Sequence, residues 1–238
     1  MTLRVMAIGR RDLAAYFLSP SGYIITALFI FVTGIFFIRG FEQGQTASMR
    51  PVFDIGIWVL LFVGPAITMR AISDEVRMGT YEMLMTSPLS EFELILGKFI
   101  AAVIFMAIML VPTIGYVIAL ELHGRPDYGE LICGYLGLSL AGTAYLASGI
   151  LASAVAGSQV VAFLAALFFW LLLSIGTKLL PPYAGEQWAG LVVALDPDLR
   201  LRDFAIGLID TANVAYFLAL TAVFLLAAVK VLEVRRWR

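Results

Sequence analysis

Charged residues, histidine and cysteine are all scarce in this sequence of 238 residues. Only 14% of the residues are charged and 61% are hydrophobic. A soluble domain carries about 25% charged and about 45–50% apolar residues. So few polar side chains cannot cover the surface of a protein that is surrounded by water. The shortage therefore excludes an ordinary soluble domain and indicates that lipid is the solvent for most of the chain.

The same scarcity argues against most catalytic and ligand-binding chemistry. The single cysteine, Cys133, has no partner for an intrachain disulfide, and no CxxC or Cys/His cluster indicates a metal site. A serine nucleophile such as Ser148 or Ser153 would need a base, but the single histidine, His123, lies in a predicted external loop. The formal net charge is −1 and no basic patch points to a nucleic-acid partner. We therefore predict no catalytic residue, no metal site and no bound cofactor in this chain.

Long hydrophobic runs, in contrast, are abundant. A helix needs roughly 17–25 mainly apolar residues to cross the hydrocarbon core of a bilayer. Six stretches meet or approach this length: residues 22–38, 52–69, 99–120, 131–156, 160–176 and 213–229. The small residues of the fourth stretch are typical of helices that pack closely in a membrane. The sequence predicts an all-α polytopic membrane protein, with residues 1–238 forming a single domain.

The N-terminal segment, residues 1–19, predicts a helix that lies on the membrane surface. Four charged residues interrupt any apolar run before the first span: Arg4, Arg10, Arg11 and Asp12. This argues against a cleavable signal peptide. On a helical wheel the apolar side chains share one face: Leu3, Met6, Leu13 and Phe17. Because Arg4 and Arg11 lie opposite, with Arg10 at the edge, the segment has the amphipathic pattern of an interfacial helix.

The distribution of lysine and arginine predicts the orientation of the spans. Placing the N-terminus in the cytoplasm puts ten of the 16 lysines and arginines on the cytoplasmic side and six outside. Loops rich in positive charge stay on the cytoplasmic side of a bacterial inner membrane. We therefore predict a multi-pass inner-membrane protein with both termini in the cytoplasm.

The predicted external loop between the fifth and sixth spans is longer than a turn requires. It carries two apolar runs, Trp188–Leu195 and Phe204–Ile209, which are too short to cross a bilayer. Such runs predict interfacial or re-entrant helices. An ordinary folded loop is the alternative.

The predicted cytoplasmic loop between the second and third spans, residues 70–93, is punctuated by helix-ending and helix-starting residues. Gly79 suits the left-handed conformation that ends a helix, so the second span is predicted to continue to about Met78. Ser90 and Glu93 have the spacing of a capping box, which would open the third span.

Between these two signals the loop predicts one more short helix, over about residues 81–86. Thr80 can cap it, Glu82 suits its first turn, and Pro88 stops it. Charged side chains that could dock to a partner are Asp74, Glu75, Arg77 and Glu82, and apolar ones are Tyr81, Met83, Leu84 and Met85. The helix would act as a lever on two spans. A solvated loop, whose charges keep it inside, explains the same residues equally well.

The loop also carries a recognisable motif. Residues 73–88 read Ser-Asp-Glu-x-Arg-x-Gly-Thr-x-Glu-x-Leu-x-Thr-x-Pro, and Gly97 and Lys98 follow. This pattern resembles the coupling loop of ABC-2-type permeases. Two further stretches are similar to the gliding-motility-type subfamily: Tyr-Phe-x-Ser-Pro-x-Gly-Tyr at 16–23, and the C-terminal part from Phe204 to Trp237.

The resemblance implies the transmembrane half of a type V ABC exporter. Two permeases, either two copies or a copy with a paralogous or auxiliary subunit, would assemble with two separate ATPase subunits that bind the ATP. Residues 80–86 would sit in a groove of the ATPase, residues 1–19 would form a connecting helix, and residues 188–209 would form re-entrant helices. The second and fifth spans would face the pathway. The implied ATPase-coupling residues are Asp74, Glu75, Arg77, Gly79, Thr80, Tyr81, Glu82 and Leu84.

The chain departs from the family pattern at one place and lacks a nucleotide-binding loop of its own. Asp-Pro-Asp at 196–198 stands where relatives often have a Ser-Pro turn. Phe92 occupies the place of the first glycine in GxxxxGK[ST], and Phe99 follows Lys98. The phosphate-binding loop is therefore absent around Lys98, and ATP would have to be bound by a partner chain.

Two other classes of membrane protein remain as alternatives. An ion-coupled secondary transporter needs ionisable groups near the membrane midplane, but Asp54 and Lys98 lie near the ends of their spans. Pro65 and Pro112 could break helices, as such transporters require, but kinks are the more common result. A non-transporting anchor or assembly protein would explain the spans but not the punctuated loop.

Overall fold

The computed structural model describes residues 2–40, 48–80, 89–123, 126–181, 183, 190 and 192–236. These residues form helices joined by turns and short irregular segments. The helices are α1 (Thr2–Leu18), α2 (Pro20–Arg39), α3 (Arg50–Thr68), α4 (Ser73–Arg77), α5 (Glu91–Leu110), α6 (Ile114–His123), α7 (Tyr128–Val155), α8 (Gln159–Leu179), α9 (Pro197–Ala205) and α10 (Thr211–Arg236). A 3₁₀ turn, Val111–Thr113, joins α5 to α6.

Six helical stretches among the described residues are long and apolar enough to cross a membrane. They are Pro20–Arg39, Arg50–Arg77, Glu91–Leu122, Tyr128–Val155, Gln159–Leu179 and Thr211–Arg235. Their number and order confirm the six predicted spans. Pro65 lies inside α3, and Pro112 changes one turn of the third span to 3₁₀ geometry without ending it. Both prolines therefore leave their spans continuous.

The fourth span, α7, lies at the centre of the bundle because its small residues allow close contact on several sides. It packs against α3, α5, α8, α9 and α10. A Cβ atom added to Gly134 would lie 2.2 Å from the ring of Phe53, and one added to Gly142 would lie 2.2 Å from Met106 Sδ. The small residues of this span thus serve helix packing, as the sequence predicts.

Replacing Gly134 with alanine is expected to destabilise the protein by about 1–3 kcal/mol, because overpacking forces side chains or helices apart. The Phe53 ring is fully buried, so it has no free space to move into. The matched control is Gly115→Ala, where an added Cβ meets no atom within 4 Å. Thermal unfolding of both variants in detergent measures the difference. Equal unfolding midpoints would contradict the close contact between α3 and α7.

The two apolar runs between the fifth and sixth spans differ in outcome. Of the first run, Trp188–Leu195, residues 190 and 192–195 are described, and residues 190 and 192–194 are helical. Their interfacial or re-entrant placement stays a prediction. The second run was expected to form a helix over Phe204–Ile209, but α9 ends at Ala205 and Gly207 has a positive φ of 84°. The expected position of that helix is wrong.

Capping and amphipathic spacing explain the observed position of α9. The Asp196 side chain accepts a hydrogen bond from the backbone N–H of Asp198, and Pro197 occupies the first helical turn. Leu201 and Phe204 then lie on the buried face. Asp196 thus occupies the N-cap position, which a serine could also occupy. The helix therefore starts at the same place although the chain departs from the Ser-Pro pattern.

Candidate functional site

The root of the 70–93 loop is a bent continuation of the second span. After α3, residues 69–72 form turns, α4 runs from Ser73 to Arg77, and Gly79 ends it with a φ of +71°. This confirms the predicted helix end at Gly79, where the left-handed conformation favours glycine. Among the described residues, no atom lies within 4 Å of a Cβ added there. The Thr80 hydroxyl donates to the carbonyl of Glu75 at 3.3 Å.

The far side of the loop begins where the sequence predicts. The Ser90 hydroxyl accepts from the backbone N–H of Glu93, and the Glu93 carboxylate accepts from the backbone N–H of Ser90. The capping box is confirmed, and it starts the third span at Glu91, before the first residue of the predicted stretch. Tyr81, Glu82 and Leu84, together with the predicted helix over 81–86, lie outside the described residues.

A cluster of four charged side chains holds the loop root. Lys98 Nζ lies 2.8 Å from Glu75 Oε1 and 3.0 Å from Asp12 Oδ2. Arg11 contacts the same two carboxylates, at 3.0 Å and 2.9 Å. We call these four residues the ion cluster. It connects α1, α4 and α5, and its two cations balance its two anions.

Burial makes the pairing of Lys98 necessary. Its side chain is only 4% exposed, and a charged group removed from water is tolerated in a protein when it is paired. Glu75 uses one oxygen for both cations, while its Oε2 is buried without a hydrogen-bond partner among the described residues. The carboxylate of α4 therefore depends on Lys98 and Arg11 for its stabilisation.

The pKa shifts of two side chains of α1, Arg11 and Tyr16, agree with the contacts of the ion cluster. Burial disfavours the charged form of Arg11, but the carboxylates of Asp12 and Glu75 outweigh burial and raise the pKa of its guanidinium above the ordinary value. Burial, with the charge of Asp12 close by, also raises the pKa of Tyr16. Tyr16 therefore stays neutral, and its hydroxyl donates to the carbonyl of Ile67 in the second span at 3.2 Å.

Two glycines bring α1 close enough to form the ion cluster. A Cβ added to Gly97 would lie 2.9 Å from Ile8 Cγ2 and 3.1 Å from the carbonyl oxygen of Val5. A Cβ added to Gly9 would lie 3.3 Å from the carbonyl oxygen of Gly97. The two residues Gly97 and Lys98 thus have separate functions: the glycine permits the contact of α1 with α5, and the lysine supplies the charge.

Polar contacts also tie the loop root to the fourth and fifth spans. The Ser153 hydroxyl accepts from the backbone N–H groups of Ile72 and Ser73, each at 3.0 Å, and donates to the carbonyl of Met69. Ser153 is therefore a structural hydrogen-bonding residue. At the start of α8, the Gln159 amide donates to the carboxylate of Asp74 and accepts from Arg70 Nε.

The structure thus joins some predicted coupling residues and leaves others apart. Glu75 lies in the ion cluster and Asp74 bonds to the fifth span, whereas Arg77 is exposed and forms no ion pair with a described residue. Sequence reasoning missed four residues that complete the site: Arg11, Asp12, Ser153 and Gln159. The available signal was Lys98, because a lysine beside a long apolar run needs a carboxylate, and its own helix offers none three or four residues away.

A partly open cavity of about 290 Å³ lies beside the ion cluster. Its lining includes the charged residues Asp12, Glu75 and Lys98 and the apolar residues Ile25 and Phe105. It is bordered by α1, α2, α3, α4 and α5.

A comparison with protein families completes the description of the site. A family model described as an ABC-2 family transporter protein matches residues 6–201, which include the ion cluster, the loop and five of the six spans. No curated protein matches the chain significantly.

Proposed function

Since the chain belongs to the ABC-2 transporter family, we propose that it is the permease subunit of an exporter that is driven by separate ATPase subunits. The observation that supports this most is the ion cluster at the root of the 70–93 loop. A solvated loop that only carries charge would have no need for Lys98 buried against Glu75. A loop that transmits force needs a rigid connection at its base.

The contacts of the loop root define a route for that force. ATP-driven closure of the partner subunits would push on the segment beyond Gly79. Glu75 would pass the displacement to α1 and the third span through Lys98, Arg11 and Asp12. Ser153 and Asp74 would pass it to the fourth and fifth spans. The lever would therefore act on more spans than the two that flank the loop.

The N-terminal helix fits the proposed connecting helix. Its buried face, with Val5 and Ile8, packs against α5, while Met6 is 69% exposed and Leu18 is exposed as well. Of the predicted apolar face, Leu13 and Phe17 are half-buried and Met6 is exposed, so this face packs only partly against the rest of the protein. Apolar side chains left outside the protein favour a helix at the bilayer surface.

The remaining parts of the proposal follow from charge and resemblance. The excess of lysine and arginine supports an inner-membrane topology with the loop and both termini in the cytoplasm. A second permease, either another copy or a paralogue, would complete the pathway, with the second and fifth spans facing it. The gliding-motility-type subfamily stays a prediction from the terminal motifs.

Affinity purification of the full-length chain from its native membrane tests the proposal. We expect an ATPase subunit with a phosphate-binding loop to co-purify. Glu82→Lys should lower its recovery about tenfold, since reversing one buried charge contact at an interface costs on the order of 1.4 kcal/mol or more. The control is Glu233→Lys, which reverses an exposed charge on α10. If no ATPase co-purifies, the exporter proposal is overturned. If both variants recover the ATPase equally, the docking role of the loop is overturned.

A further inference from the structure

A groove lies at the end of the bundle opposite the loop root. It has a volume of about 370 Å³ and is formed by the start of α3, the end of α8 and one face of α9. Its lining combines apolar side chains with charged ones. The apolar residues are Ile57, Trp58, Leu201, Ala205 and Ile206, and the charged ones are Arg50, Asp54, Lys178, Asp198 and Arg202.

Three of the five charged residues that line the groove form ion pairs. Arg50 Nε lies 3.1 Å from Glu130 Oε2, and Lys178 forms an ion pair with Asp198. Lys178 also lies over the Trp58 ring, with its Nζ 5.8 Å from the ring centroid. These contacts fix the side walls of the groove.

Two charges of opposite sign are left without a hydrogen bond or ion pair to any described residue. They are Arg202 on α9 and Asp54 on the first turns of α3, and both side chains are exposed to the groove. Each lies within electrostatic reach of the other, yet they form no ion pair. Counting only partners among the described residues, the groove therefore presents one unpaired cation and one unpaired anion beside apolar side chains.

We propose that this groove binds an aminophospholipid, with the lipid phosphate on Arg202 and the ammonium on Asp54. An acyl chain would run along Trp58 and Ile57 toward the bilayer centre. A tryptophan with an apolar body and a polar edge suits this depth, where headgroups meet hydrocarbon. The guanidinium matches phosphate oxygens in shape and charge. In the proposed topology the lipid belongs to the outer leaflet.

The charges of Arg202 and Asp54 favour some phospholipid headgroups over others. Phosphatidylglycerol has no cation for Asp54. Phosphatidylcholine has a cation, but its trimethylammonium cannot donate a hydrogen bond. Of these three headgroups, phosphatidylethanolamine alone supplies both the phosphate and an ammonium with donors, so it leaves neither charge unsatisfied. This site stands independently of the ATPase partner.

Native mass spectrometry of the full-length protein tests the site. The detergent-purified chain is equilibrated with phosphatidylethanolamine, phosphatidylcholine and phosphatidylglycerol of identical acyl chains, in pairs. We expect one phosphatidylethanolamine to be retained per chain in preference to either competitor. Because one basic side chain near a lipid surface contributes about 1 kcal/mol, Arg202→Gln should weaken retention roughly fivefold. Asp54→Asn should remove the preference over phosphatidylcholine.

The control variant is Arg39→Gln, an arginine at the same end of the bundle, on the first span and outside the groove. It should retain the lipid as the wild type does. Preference for phosphatidylglycerol would overturn the role of Asp54, and equal losses for Arg39→Gln and Arg202→Gln would overturn the site. Retention of no lipid, with a second copy bound instead, would identify the groove as an interface between copies. Each of these results leaves the co-purification of an ATPase unaffected.

Discussion

Replacing Lys98 with methionine is expected to lower the free energy of unfolding by about 3–5 kcal/mol, because it removes the buried cation of the ion cluster and leaves two largely buried carboxylates with Arg11 alone. Asp12 and Glu75 have side chains that are 17% and 12% exposed. Arg11 would remain as their only ion-pair partner among the described residues, and it is itself half-exposed. Denaturant unfolding of the purified protein in detergent measures the loss.

An exposed lysine pair on the same protein provides the control. Lys230 forms an ion pair with Glu233, and its side chain is 75% exposed. Lys230→Met should therefore change the stability by less than about 1 kcal/mol. Adding Glu75→Gln to Lys98→Met should recover part of the loss, since the uncompensated charge is removed. Equal, small effects of Lys98→Met and Lys230→Met would contradict the ion cluster as a buried connection.

The spans could be predicted because lipid imposes one strong rule on sequence. Any helix that crosses the bilayer needs a long apolar stretch, and each stretch is read independently of the others. Local signals were equally reliable at the loop, where Gly79 and the pair Ser90 and Glu93 act within one or two helical turns. Such signals involve neighbours in the sequence, so composition and spacing suffice to find them.

The ion cluster could not be predicted from the same patterns because its contacts join distant parts of the chain. Lys98 pairs with Asp12 across 86 positions, and Arg11 pairs with Glu75 across 64. Those pairs form only because Gly97 lets α1 approach α5. The helical wheel of residues 1–19 placed Arg11 opposite the apolar face, on the side expected to meet water, but Arg11 pairs there with Glu75 of α4.

The position of α9 shows a second limit of reading hydropathy. Each of the two apolar runs predicted a helix, and the described residues 190 and 192–194 of the first run are helical. The second run is different: the helix there starts earlier, at the Asp196 cap, and buries Leu201 and Phe204 among charged neighbours. Helix propensity and capping therefore determined this element, and Gly207 ended it within the second run.

Replacing Gly79 with proline is expected to abolish the proposed ATP-driven movement of the spans while leaving membrane insertion intact. Gly79 has a φ of +71°, whereas proline fixes φ near about −65°. A Cβ added at this position meets no atom of the described residues within 4 Å. Proline also removes the hydrogen bond from the Gly79 N–H to the Val76 carbonyl. The change therefore alters the end of α4 and the direction of the chain beyond it, while the packing of the spans is kept. The loop would then leave the ion cluster at a different angle, and a partner could no longer push along it.

The movement can be measured without knowing the transported substrate. Spin labels at the exposed residues Leu122 and Leu208 report the distance between the third span and the segment before the sixth, and ATP added to the assembled transporter should change it. Gly79→Asn is the matched control, because asparagine tolerates the left-handed conformation, and it should keep most of the change. An unaltered response in Gly79→Pro would show that the segment beyond Gly79 transmits no force. The ion cluster would then stabilise the fold without coupling it to ATP.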